Sequence, residues 1–239
     1  MKIDCTNKKY DILNREVAAV EGDIVLENCL GQRFIAAGAS NKNITINGVP
    51  GNALGAYLDG ASITVNGNAQ DASGDTMNAG RIVIHGSCGD ACGYAMRGGE
   101  IFIRGNVGYR AGIHMKSYAE KTPVIVIGEK CGSFLGEYLA GGIIIALGLG
   151  LDDKDILGSF CGTGMHGGKI FVRADKIHVN LSKQICVREA DEEDLAQIAP
   201  YIKEYCSCIG VSEDEIYQKK FQVLYPNSSN PYKQLYVQN

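Results

Sequence analysis

The pentapeptides Ile44-Thr45-Ile46-Asn47-Gly48, Ile63-Thr64-Val65-Asn66-Gly67, Ile82-Val83-Ile84-His85-Gly86 and Ile101-Phe102-Ile103-Arg104-Gly105 begin at 44, 63, 82 and 101, nineteen residues apart each time. The block returns 23 residues on as Val124-Ile125-Val126-Ile127-Gly128, then around Ile143-Ile144-Ile145 and Ile170-Phe171-Val172, with the extra residues in 116–121 and 149–159. A fixed period of this length restricts the fold more than composition does. Each block alternates apolar with mostly polar residues and is rich in β-branched side chains, the pattern of a short strand with one buried face. Nineteen residues cannot hold a crossover helix with its loops, since a βαβ unit takes roughly 30. An antiparallel sandwich would place strands every ~8–12 residues and would not restart in the same phase. What remains is an all-β, single-stranded parallel β-helix with coils of ~19 residues. Its expected hand is right, the hand of nearly all connections between parallel strands.

Glycine supplies the corners. The chain has 31 glycines in 239 residues, nearly double the roughly 7% usual in proteins. They recur as Gly-x-x-Gly-x-x-x-Gly: Gly48, Gly51, Gly55; Gly86, Gly89, Gly93; Gly105, Gly108, Gly112; and, one residue longer, Gly128, Gly132, Gly136. Gly67 and Gly74 make an incomplete copy with Gln70 at the middle position. Such positions are expected where φ is positive or neighbouring backbones approach closely. Of the 31 glycines, 29 lie between Gly31 and Gly168. This distribution divides the chain into an N-terminal lead-in (1–24), a β-helix (25–174) and a C-terminal helical cap with a tail (175–239). In the last part Leu195, Ile198, Ile202, Tyr205 and Ile209 share one helical face, expected to cap the open end of the coil. Pro200 inside that pattern is expected to kink or split the helix, and Phe221 to Tyr236 is read as a wrap along its flank or a docking arm.

Stacking the repeats aligns columns. Pro50, Cys88, Val107, Cys131 and, in the divergent copy, Cys161 precede the middle glycine; Leu54, Ser73, Cys92, Ala111 and Leu135 precede the third. Both columns are small or apolar, so the cysteines read as core residues rather than as a metal or iron-sulfur site built from Cys88, Cys92, Cys131 and Cys161, whose spacing lacks Cys-x-x-Cys. His114 and His166 each follow a glycine by two residues, which allows a shared corner column and, with Cys161, an enzymatic corner site; His85 and His178 read as surface residues. Gly162-Thr163-Gly164-Met165-His166-Gly167 spells the dinucleotide fingerprint but runs into a strand instead of a helix. The outward strand positions Thr45, Asn47, Thr64, Asn66, His85 and Arg104 contain no carboxylate pair of the kind sugar-cleaving enzymes need.

A formal charge of -4 and a pI near 5.6 with no basic run argue against nucleic acid. The longest apolar stretch, Gly141 to Gly150, is about half a membrane span. With no signal-like segment at Met1-Lys2-Ile3-Asp4, the nine cysteines are expected as free thiols in the cytoplasm.

Several motifs in one order resemble the C-terminal domain of the glutamate synthase large subunit. They are the glycine repeats; Asn14-Arg15-Glu16-Val17; Asn52-Ala53-Leu54-Gly55-Ala56-Tyr57-Leu58; Gly74 to Ile84; Tyr138-Leu139-Ala140-Gly141-Gly142; Phe160 to Gly168; Val187 to Leu195; and Tyr232-Lys233-Gln234-Leu235. The resemblance implies a non-catalytic scaffold, present here without the amidotransferase domain and FMN barrel that precede it in the fused enzyme. Its implied partners are the glutamate synthase amidotransferase and FMN-binding polypeptides. FMN and an iron-sulfur cluster would then sit on the partners, with no cofactor, metal or catalytic residue on this chain. Self-association stays open. The C subunit of formylmethanofuran dehydrogenase, built on the same coil, is the alternative family; the Asp191-Glu192-Glu193-Asp194 helix start and the terminal Tyr-Lys favour glutamate synthase.

Overall fold

The computed structural model describes residues 1–227, so Pro231, the Tyr232-to-Leu235 motif and Tyr236 lie outside the described residues. In chain order the elements are β1 (Lys2–Asp4), α1 (Tyr10–Ala19), β2 (Ile24–Leu30), β3 (Asn43–Val49), β4 (Asp59–Asn66), β5 (Ala79–Ile84), β6 (Glu100–Ile103), β7 (Val124–Ile127), β8 (Ala140–Ala146), α2 (Asp153–Ile156), β9 (Gly167–Arg173), β10 (Ile185–Glu189), α3 (Glu192–Ile209), α4 (Glu213–Ile216) and β11 (Phe221–Pro226). Strands β1 to β9 pair in sequence order and in parallel, one rung per coil, making a parallel β-solenoid. The register stacks like on like. Ile24, Ile44, Ile63, Ile82, Ile101, Ile125, Ile144 and Ile170 form one inward column, all buried. Leu26, Ile46, Val65, Ile84, Ile103, Ile127, Ala146 and Val172 form the next.

The two longer coils keep this register by looping their surplus outward. The first carries a small antiparallel bridge between Tyr118 and Lys121, and the second carries α2. A second parallel ladder runs through Ala69, Cys88, Val107, Cys131 and Leu157. It corrects one expected column: Leu157, before Gly158, is the successor of Cys131. Cys161 instead follows Leu135, since the Gly162 N–H bonds to the Leu135 carbonyl as that of Gly136 bonds to Ala111. The insertion that carries α2 shifts the alignment by four positions.

The C-terminal helix departs from expectation in what it covers. From β5 onward the outward strand column turns apolar, as Val83, Phe102, Val126, Ile145 and Phe171, and α3 lays Ile198, Ile202, Tyr205 and Ile209 over that face in a second core. It thus covers the side of the sheet instead of the end of the coil. The exposed edge of β9 is met by β11 and then β10, both antiparallel additions, so the segment read as a wrap or docking arm begins as a central strand. Ile177, Val179, Leu181 and Ile185 pack against the main core nearby. Pro200 does not split α3, which runs unbroken over Glu192–Ile209. One missing backbone donor is outweighed by the buried face on either side of it. Among the described residues no helix is long and apolar enough to cross a membrane.

Candidate functional site

Opposite the sheet, each coil closes through an arc in which every second residue is left-handed. Seven stacked arcs share this geometry at three columns. The first is Phe34, Ala53, Ala72, Ala91, Arg110, Phe134 and Phe160; the second Ala36, Gly55, Gly74, Gly93, Gly112, Gly136 and Gly162; the third Gly38, Tyr57, Thr76, Ala95, His114, Tyr138 and Gly164, all with φ between 49° and 72°. Alternation sends successive N–H groups to opposite neighbours. Ala53 donates to Asp71 of the next coil, Gly55 to Ile35 of the previous one, and Tyr57 to Asp75 of the next. The arc is therefore a hydrogen-bonded ladder that holds its side chains in fixed rows.

The middle column, which holds Ala36 in the first arc, is glycine from Gly55 onward, where a side chain would meet the isoleucines of the sheet. A Cβ built on Gly55 would lie 2.8 Å from the Ile82 Cδ1, one on Gly112 2.5 Å from that of Ile144, and one on Gly136 2.8 Å from that of Ile170. The isoleucine column of the sheet reaches across the coil and touches the opposite wall. The flanking left-handed columns carry Phe, Arg, Thr, Tyr and His side chains beside alanine and glycine, each non-glycine residue bearing the strain of positive φ. Gly51 and Gly132 answer a different demand: φ is ordinary, and the backbones of Gly31 and Gly108 lie where a Cβ would go.

On the outer surface the late coils fill these two free columns with rings. Phe134 and Phe160 stack at 4.9 Å and 19°, and the Arg110 guanidinium lies 4.8 Å over Phe134. Arg110 also pairs with Glu137 at 3.0 Å, whose side chain is nearly buried. His114 stacks on Tyr138 at 5.1 Å and 10°, with Tyr94 edge-on at 6.0 Å. Phe160 is 57% exposed, and Tyr94, Tyr109 and Tyr138 are exposed as well. Rings already locked in rows present large contact area at little further conformational cost, and aromatic and arginine side chains dominate binding hot spots. Linear motifs hide this stripe, because Phe134 and Phe160, and likewise His114 and Tyr138, belong to successive coils and meet only when the coils are stacked. The signal is nonetheless in the spacing: each sits two residues from a glycine of the middle left-handed column.

The enzymatic corner site does not assemble. His114 stands in the column of Tyr138 and Gly164, whereas the His166 N–H bonds to Leu139 as that of Ala140 bonds to Met115, placing His166 one column further along. Cys161 points inward, and burial pushes its thiol up to about 12. Cys131 is likewise raised by burial, and Cys92 by a hydrogen bond with Cys88 and by burial. These thiols are protonated core groups. Among the described residues no three His, Cys, Asp or Glu side chains are grouped as metal ligands. His85 is half-buried after β5 and His178 is exposed. Gly162 to Gly167 forms an arc leading into β9, not a helix start.

On the opposite side, a groove of about 530 Å³ runs between the corners at Gly60, Gly80 and Gly99 and the α3 residue Tyr201. Arg81 lies along it, held by Glu100 at 2.7 Å and by Glu204 of α3 at 2.9 Å. The charge inside the groove is thus already paired.

Three left-handed columns, the middle one glycine from Gly55 to Gly162, on a nineteen-residue parallel coil define a glycine-cornered β-solenoid domain. The GXGXG motif profile matches residues 5–229, and the chain belongs to that family, which includes the C-terminal domain of the large chain of glutamate synthase. The uncharacterized protein MJ1350 of Methanocaldococcus jannaschii is 44% identical over 98% of this chain and 95% of its own length. Among solved structures, a chain of the formyltransferase/hydrolase complex FhcABCD from Methylorubrum extorquens, determined with methylofuran, superposes with a TM-score of 0.64 at 20% identity. The superposition covers 84% of this chain and 71% of that one. That likeness is one of fold.

Proposed function

We propose that this protein is a non-catalytic scaffold subunit of a split glutamate synthase, acting in the cytoplasm to hold separate amidotransferase and FMN-binding polypeptides in register. The observation that carries this reading is the family match over residues 5–229, nearly all of the sequence. In this reading FMN and the iron-sulfur cluster belong to the partners, and this chain contributes rigidity and contact surface. The ring-filled arc at Phe134, Tyr138 and Phe160 supplies such a surface. Co-expression with the two partner polypeptides followed by size exclusion tests it. Co-elution, with glutamine-dependent glutamate formation only when all three are present, is the expected result. A folded chain that elutes apart from both sinks the proposal.

The fold likeness to a formyltransferase/hydrolase complex chain favours a second reading, the role of the C subunit in a formylmethanofuran dehydrogenase type of assembly. Co-purification with the other polypeptides of such an assembly, and not with the glutamate synthase pair, would select it. In both readings the chain works as one part of a larger complex.

A further inference from the structure

The sulfur of Cys29 lies 3.3 Å from that of Cys5, with the Cys29 thiol donating to Cys5. A bulge creates this contact. In β2, Ile24 and Leu26 point into the coil, and strict alternation would next turn Asn28 and Leu30 inward. Asn28 instead adopts a φ of 57°, and the register with β3 slips between Leu26 and Cys29. The extra residue reverses the parity, so that Cys29 is buried and Leu30 is 81% exposed. Ile3 and Cys5 point inward from the neighbouring first rung, where the Cys5 N–H is bonded to the Glu27 carbonyl and the Cys5 carbonyl to the Gln32 amide. The two sulfurs therefore face each other between adjacent rungs, and an approach of about 1.3 Å would bring them to bonding distance.

We infer that Cys5 and Cys29 form a reversible thiol–disulfide pair which, when oxidised, fastens the first strand to the coil. The oxidant is a low-molecular-weight disulfide such as oxidised glutathione. The Cys5 thiol loses its proton and attacks one glutathione sulfur, breaking the glutathione S–S bond and releasing one glutathione thiolate. Cys29, deprotonated in turn, attacks the Cys5 sulfur and displaces the second. Two protein thiols are oxidised, one glutathione disulfide is reduced to two thiols, and the protons pass to the released thiolates. Burial raises both protein thiols, Cys29 further than Cys5, so exchange starts from fraying of β1, a three-residue edge strand.

The test incubates the native full chain with oxidised glutathione, blocks remaining thiols with an alkylating reagent, and maps disulfide-linked peptides by mass spectrometry. A Cys5–Cys29 link that removes two hydrogens, slows amide exchange in residues 2–5 and is reversed by dithiothreitol is expected. Glutathione confined to the half-buried Cys186 or Cys208, a link between other cysteines, a link formed only in denaturant, or unchanged exchange in residues 2–5 would overturn the inference. Wild-type mapping decides the matter even where Cys5→Ser or Cys29→Ser fails to fold.

Discussion

The Tyr205 hydroxyl donates a 3.2 Å hydrogen bond to the Ile103 carbonyl, joining the C-terminal helix to the middle of the solenoid across 102 residues of sequence. Its ring meets Phe102 edge-on at 6.0 Å, and the whole side chain is buried. Tyr205→Phe removes one neutral hydrogen bond and should cost about 1 kcal/mol. Tyr205→Ala also empties a ring-sized volume and should cost ~3–5 kcal/mol. Urea denaturation resolves the two, and equal losses would contradict this packing.

Gly112 and His114 have nearly the same backbone, with φ of 69° and 55°. Replacing Gly112 by alanine combines left-handed strain with a Cβ driven against Ile144, for a loss of about 2–4 kcal/mol. His114→Gly relieves strain at a solvent-facing position, and its stability should change by under ~1 kcal/mol. Thermal unfolding of the pair checks this, and equal sensitivity would refute the inward role of the glycine column.

Asp194 ties α3 to the sheet. It is 1% exposed, accepts from Lys169 at 2.8 Å, pairs with Arg188, and closes a capping box with Asp191. Burial alone would raise its carboxyl, but the hydrogen bonds from Lys169 and Arg188 outweigh burial and hold it below the ordinary value of 3.8. A depressed carboxyl stabilises the fold fully above its unfolded value and loses that contribution as pH falls through the lower folded value. Asp194→Asn should therefore destabilise by ~1–3 kcal/mol at pH 7, because Lys169 loses its carboxylate partner and Arg188 keeps only its 3.1 Å pair with Asp191. The difference from wild type should shrink as pH falls below 3.8. A pH-independent difference would be incompatible with this account.

Phe160→Ala removes an exposed ring stacked on one neighbour. Stability should fall by no more than ~1 kcal/mol, whereas affinity for a partner seated on the arc should drop at least about tenfold. Titration calorimetry against the co-purifying partner measures the second effect. Unchanged affinity would move the interface to another face of the solenoid.

Legibility followed the period. The strand blocks at Ile44, Ile63, Ile82, Ile101, Val124, Ile143 and Ile170 stand in β3 to β9, because a parallel coil repeats the same inward and outward positions at one sequence spacing. The change from Thr45 and Thr64 to Val83, Phe102 and Val126 on the outward column also signalled a covered face, but only the alignment of rungs made it readable. Elements outside the repeat had no such support: β1 and α1 in the lead-in, and β10 and β11 at the far edge.

The sequence by itself determined the coil, since a recurring inward isoleucine facing a recurring glycine can be satisfied only when successive turns stack. It did not determine what lies against what across long separations. That α3 covers the side of the sheet, that Cys161 falls beside Leu135, that His114 and His166 part company, and that Cys29 meets Cys5 were decided by tertiary structure. In each case one inserted or bulged stretch, or a second buried surface, shifted residues relative to a spacing that local pattern alone would have continued unchanged.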